Sequence, residues 1–349
     1  MKVLVTGHLG YIGSVLTPML LERGHDVTGL DSDIFRSCTF VGTLAEVPTI
    51  EKDIRDIEID DVAGFDAIIH LAGLSNDPLG DYRPLLTEEI NCGASVRLAQ
   101  LAKAAGVQRF LYASSCSNYG AAGDSFLTED APFNPVTPYG ASKANVERAV
   151  APMADQSFSP TFLRASTAYG LSPRIRFDLV VNNLTAWAYT TGLVYLKSDG
   201  SPWRPIVHVE DIALAYIAVL EAERELVHNE AFNVGLTTEN YQIREIAELV
   251  QTIVPDSRVK FAPDAGPDKR CYRVDCTYIG RRLHGFKPQW TARRGIEQLY
   301  HTFRAAGLAL GDFEGERFKR IAHVQKLIQD GELDTDLRRT PQLAVAVAV

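Results

Sequence analysis

The chain has 349 residues, 46% of them apolar and 23% charged, with a net charge of −9 and a sequence pI near 5.4. That is enough apolar material for one large domain or two closely packed ones, and the acidic balance argues against nucleic-acid backbones and anionic membranes as main partners. No stretch reaches the roughly 20 apolar residues of a membrane span, and five cysteines without a pairing pattern fit reduced thiols in a cytoplasmic protein. The chain opens directly on the strand-like MKVLVTG, leaving no room for a signal peptide. In chain order KVLVT, HDVTGL, FDAIIHLA, QRFLYAS and SPTFLR read as strands, β-branched and apolar enough to be buried on both faces. Between them IGSVLTPMLLERG, the 84–105 stretch and PYGASKANVERAVAPMA read as helices, with Gly24 and Gly106 placed to end two of them. This alternation predicts an α/β fold with a doubly wound parallel sheet.

Beyond residue 170 the pattern loosens. RFDLVVNNLTAWAYT predicts a helix, and VYLKSDGSPWRPIVHVEDIALAYIAVLEAE predicts short strands leading into another, with Asp211 as its N-cap. The expected division is a first domain over 1–170, to which about 204–234 returns, a smaller domain over 171–330, and a tail over 331–349 whose apolar end LAVAVAV reads as a frayed end or an oligomer contact.

Strand VLVT runs straight into GHLGYIG and then into a helix, so Gly7, Gly10 and Gly13 form G-x-x-G-x-x-G at a strand-to-helix turn. Glycine there permits a tight turn and lets backbone N–H groups approach a dinucleotide pyrophosphate at the helix N-terminus. Asp31, eighteen residues past Gly13, is placed to accept from a ribose diol, which favours NAD over NADP; Arg36 nearby reads as a solvated arginine. Asp53 is a candidate for the adenine amine. Tyr139 and Lys143 form Y-x-x-x-K at a helix start, one turn apart on the same face. An ammonium beside a phenol favours the phenolate, so such a tyrosine can exchange a proton with a sugar hydroxyl near neutral pH. His70 and His208 sit in apolar strand contexts and read as core residues, and no cluster has metal-ligand spacing.

TGHLGYIG, HLAG, YASSCSNYG, PYGASK and RPIVHVED together resemble the extended short-chain dehydrogenase/reductases, and within them the NAD-dependent nucleotide-sugar epimerase/dehydratase family, over roughly residues 1–330. The resemblance implies a Rossmann domain holding NAD and a smaller domain holding a nucleoside-diphosphate sugar. It implies Tyr139 as the base toward a sugar hydroxyl, Lys143 as partner of Tyr139 and of the nicotinamide ribose, and Ser115 as hydrogen-bond partner of the reacting oxygen. Tyr11, Ile12, Ile54, Leu71, Ala72, Gly73 and Ser114 would line the cofactor. Ser115, Cys116, Ser117, Thr167, Asn183, Arg204, Arg270 and Tyr272 would face the sugar nucleotide, the two arginines as clamps on its diphosphate.

In the 4,6-dehydratase branch the two positions after Ser115 hold an Asp–Glu pair; here they are Cys116 and Ser117. The 3,5-epimerase branch keeps a cysteine one place further on, where this chain has Ser117. Cys116 therefore reads as a small packing residue. By subtraction the resemblance implies epimerisation at C4 through a transient ketone, with a 4-keto-sugar reductase as the alternative. It also implies a homodimer, formed through the helices near 84–105 and 138–154.

Overall fold

The computed structural model describes residues 1–75, 77–266 and 271–340. The strands are β1 (Lys2–Thr6), β2 (Asp26–Asp31), β3 (Thr49–Glu51), β4 (Ala67–His70), β5 (Arg109–Ser115), β6 (Ala121–Leu127), β7 (Ser159–Ala165), β8 (Thr167–Tyr169), β9 (Leu193–Ser198), β10 (Trp203–His208), β11 (Ala231–Val234), β12 (Asn240–Gln242), β13 (Arg258–Gly266) and β14 (Cys271–Val274). Seven of them form one sheet in the order β11-β7-β5-β4-β1-β2-β3, parallel throughout. The order reverses at β1 and β4, and that crevice at the carboxyl ends of the strands is where open α/β sheets take ligands.

The period-2 alternation of β1 shows why both faces need cover. Val3 and Val5 join Leu16 and Leu20 of the helix Gly13–Glu22 and Tyr216 and Val219 of the helix Val209–Glu221. Leu4 faces the other way, into a core with Leu98, Ala99 and Val146 from the helices Ala94–Ala104 and Pro138–Val150. Beyond β7 the chain builds a smaller lobe from β8, β10 and β12, from the pair β9 and β13, and from the helices Val180–Thr191, Ile243–Ile253 and Ala292–Ala306. Its core gathers Tyr169, Phe177, Leu184, Leu196, Ile246, Ile296 and Phe303. The helix Val209–Glu221 packs on the large sheet and strand β11 joins it, whereas β10 pairs, among the described residues, with β8 and β12.

One expectation is corrected. Asp211 does not cap its helix: His208 does, its Nδ1 accepting from the Glu210 amide, while the Asp211 carboxylate accepts from the amides of Gln289 and Trp290. The 84–105 stretch is helical as expected, running from Pro84 to Ala104 with one wide turn at Glu89–Gly93. Before the tail, the helix Arg320–Gln329 packs Val324 into the core beside Leu4, and Leu337 follows it. Residues 341–349, with LAVAVAV, lie outside the described residues.

Candidate active site

A cleft of about 950 Å³ runs between the two lobes, floored by the glycine loop and the ends of β1, β4 and β5. Gly7 has φ +74°, donates to Leu30 O at 2.7 Å, and a Cβ there would lie 2.7 Å from Ala72 N. A Cβ on Gly13 would lie 2.3 Å from Gly7 O. The two glycines therefore let the loop fold onto itself and onto the Leu71–Gly73 turn, which no larger residue allows. No backbone carbonyl among the described residues accepts from the amides of Tyr11, Ile12 and Gly13, which open the helix Gly13–Glu22 toward the cleft. Tyr11 lines the cleft too, and its hydroxyl donates to Gly170 O at 2.8 Å.

Gly10, Ile12, Asp31, Asp53, Ile54, Leu71, Ala72, Gly73 and Ser114 all line the cleft. Asp31 accepts from the amides of Leu9 (3.0 Å) and Asp33 (2.8 Å), which fix it at the end of β2, and burial pushes its carboxyl upward. Arg36 is held by Asp33 and Glu51 at 3.1 and 2.8 Å. Burial alone would push Asp53 upward, but its hydrogen bonds from Arg55 win and hold it below the usual carboxylate range.

Tyr139, Lys143, Ser115 and Ser117 meet on the opposite wall. Thr137 caps the helix Pro138–Val150 by accepting from Gly140 N at 3.1 Å, and a Cβ on Gly140 would lie 2.9 Å from Ser117 O. Gly140 thus lets the helix start press against the Ser115–Ser117 turn. Lys143 is 6% exposed, its Nζ 4.8 Å from the centre of the Tyr112 ring and 5.7 Å from that of Tyr139. Among the described residues no carboxylate lies within ion-pair reach of it, and burial brings its ammonium down to about 8. The Ser115 hydroxyl accepts from Ser117 N at 3.1 Å, leaving its own proton to give. His70 lies beneath, bonded to Thr6 and Ser95 and held neutral by burial and by Lys143, its pKa down at about 3.

Cys116 does not reach the cleft. It is fully buried behind the wall, its thiol donating to Arg164 O at 3.1 Å, and burial raises its pKa well above the ordinary thiol value. Around it lies a buried network that the sequence reading missed. Arg164 pairs with Glu147 (2.7 Å) and donates to the Tyr119 hydroxyl (3.0 Å), Tyr119 donates to Asn233, and the Ser114 hydroxyl donates to Glu147. Ser114 therefore spends its side chain inward. Glu147 lies four residues after Lys143 and ties the helix Pro138–Val150 to β7.

On the second lobe Thr167, Asn183, Arg204 and Tyr272 line the cleft. Asn183 donates to Phe177 O at 2.9 Å, and the Arg204 guanidinium sits 5.8 Å from the centre of the Tyr272 ring. Arg270 lies outside the described residues. Lining residues missed in the sequence are Arg176, which donates to Ser75 and Asp178 at 3.1 and 2.6 Å, Lys197, and Phe318 to Ile321 with Leu337 from the C-terminal segment. The R-x-D pattern of Arg176 and Asp178 was a visible signal; the C-terminal residues carried none.

The sequence profile of the NAD dependent epimerase/dehydratase family matches residues 3–235. The chain belongs to that family. A UDP-glucose 4-epimerase of Corynebacterium glutamicum is 29% identical over 328 residues, covering 89% of this chain and 97% of that protein. The structure of MoeE5 in complex with UDP-glucuronic acid and NAD superposes with TM-score 0.76 at 26% identity, covering 87% of this chain and 100% of the other. A Thermus thermophilus UDP-glucose 4-epimerase in complex with NAD gives 0.72 at 26% identity, covering 88% and 100%. NAD is the cofactor of this epimerase/dehydratase fold, and the residues here fit it: the glycine cradle a Cβ would fill, three open amides at a helix start, and a fixed carboxylate at the end of β2.

Proposed function

We infer that the protein is an NAD-dependent epimerase of a nucleoside-diphosphate sugar, acting at C4 through a transient 4-keto sugar. The observation that carries it is the single proton-transfer set on the glycine-loop cleft, Ser115, Tyr139 and Lys143, with a buried thiol and a serine where a carboxylate pair would be needed to expel water. Bound NAD supplies the chemistry of taking a hydride from a sugar carbon and giving it back. Tyr139 takes the proton of the C4 hydroxyl as the carbon–oxygen bond becomes a ketone, and returns it in the reverse step. Ser115 donates to the same oxygen and fixes it against Tyr139, and Lys143, cationic below about pH 8, favours the phenolate. Epimerisation then needs the keto sugar to turn its other face before it is reduced. Arg204 and Asn183 are assigned to the diphosphate, which holds the nucleotide while the sugar turns.

The UDP-sugar names of the relatives point to a uridine nucleotide. A cytoplasmic homodimer is the assembly we expect. Five thiols without a disulfide suit a reducing compartment, and the side-by-side helices Ala94–Ala104 and Pro138–Val150, with Leu85 88% exposed beside them, supply the face. Incubation with UDP-sugars in D₂O without added coenzyme, read by NMR, tests the reaction. A C4 epimer free of deuterium is expected. Deuterium at C3 or C5 would overturn the C4 assignment, and product only from a keto sugar with added NADH would make the protein a reductase.

A further inference from the structure

The C-terminal segment is built into the cleft wall around a buried arginine that the described residues leave partly unsatisfied. Residues 317–339 grip the stretch that follows Asp31: Arg317 donates to Ser37 O and Thr39 O, His323 bonds Ile34 O, and Arg339 donates to Ser32 O and Asp33 O at 3.0 and 2.7 Å. In the middle stands Arg320, 6% exposed and facing the cleft, its guanidinium 4.0 Å from the centre of the Phe35 ring. One of its terminal nitrogens donates to Arg174 O at 3.2 Å; the other, Nη1, is buried without a partner among the described residues. Leaving a charged donor unmade in the interior is costly, so such a group is expected where a ligand completes it.

The surroundings call for an anion. Arg174 and Arg176 are near enough to act on Arg320, and the carboxylates of the cluster are already taken, Asp33 by Arg174 and Arg36, Asp178 by Arg176 and Glu314 by Lys319. Arg320 also opens the ten-residue helix Arg320–Gln329, whose first amides, at Arg320, Ile321 and Ala322, meet no acceptor among the described residues. This helix start is tied to the glycine loop through one short path: Arg320 bonds Arg174 O, Arg174 N bonds Ser172, and Ser172 donates to Tyr11 O at 2.8 Å.

We propose that Arg320 and the first amides of its helix take the diphosphate of the bound dinucleotide from the side opposite the glycine loop, so that the C-terminal segment is part of the cofactor site and retains NAD between turnovers. The proposal rests on the NAD reading above. A sugar-nucleotide diphosphate would offer the same chemistry; the segment's contacts just past the ribose-side Asp31, Arg320 on the Phe35 ring and Arg339 on Asp33 O, select the dinucleotide.

Calorimetric titration of the NAD-stripped protein with NAD and, separately, with UDP distinguishes the two. Arg320→Gln should weaken NAD at least about tenfold and leave UDP within about twofold. Unchanged NAD affinity, or a loss confined to UDP, overturns the proposal; a wild-type protein that does not bind NAD would instead strike the cofactor reading itself. Should Arg320→Gln not fold, hydrogen exchange of the wild-type protein decides: NAD, and not UDP, should slow the amides of residues 320–322, and no slowing by NAD overturns the proposal.

Discussion

Lys143 carries a charge into a wall that offers it no carboxylate, and the cost of that burial is what makes it useful. An ordinary lysine keeps its proton to beyond pH 10; here desolvation brings the ammonium to about 8, and the nearest polarisable groups are the Tyr112 and Tyr139 rings. A phenol ionising next to it would relieve the unpaired charge, so the pair favours the proton-accepting form of Tyr139. Tyr139→Phe should therefore lower turnover by about 10²-fold or more with NAD still bound, as read by stopped-time assays and by cofactor release on denaturation; near-normal turnover would remove Tyr139 from the mechanism. Cys116 sets the contrast. It faces Arg164 O and the core, so Cys116→Ala should keep turnover within about threefold while lowering stability by roughly 1–2 kcal/mol. A loss matching that of Tyr139→Phe would restore the thiol to the chemistry.

At the scale of elements, the site depends on close approaches that only certain residues permit. The glycine loop packs Gly13 against Gly7 O and His8, and the helix Pro138–Val150 packs Gly140 against Ser117 O. Gly13→Ala must push a methyl into backbone at 2.3 Å, which displaces the loop whose amides face the cleft. NAD affinity should fall by at least about tenfold, measured by calorimetry, and unaltered affinity would mean that the loop does not hold the cofactor. The Glu147–Arg164 pair does the complementary work from below. It is buried and bidentate, and it fixes the helix of Tyr139 and Lys143 to β7.

For the molecule as a whole, buried neutral histidines set the acid limit. Burial lowers His208 to about 4 and His70 to about 3, against 6.5 in the unfolded chain. Between those values the unfolded chain binds the extra protons, so the folded state has its full stability above about pH 6.5 and loses it as pH falls toward 4. His208 alone bounds the loss at about 3 kcal/mol. His208→Asn, which can still cap the helix, should flatten the fall in urea midpoint between pH 6.5 and 4.5; an unchanged slope would show that other groups set it.

The sequence by itself determined what depends on local rules. Strand parity and helix period pointed to the parallel sheet, and the glycine spacing at a strand end, the Y-x-x-x-K helix and the serine turn picked out residues that line one cleft. Each of those is a relation between neighbours in the chain. Only the tertiary structure decided the rest. His208 rather than Asp211 caps its helix because residues 289–290 come back to claim the Asp211 carboxylate. Cys116 faces the core rather than the cleft because the turn after Ser115 folds it over Arg164. The C-terminal residues, polar and without a motif, become cleft wall because Val324 and Leu337 find the apolar face left open beside Leu4 and Leu30. Contacts between residues three hundred positions apart are set by which surfaces remain to be covered, and no local pattern records that.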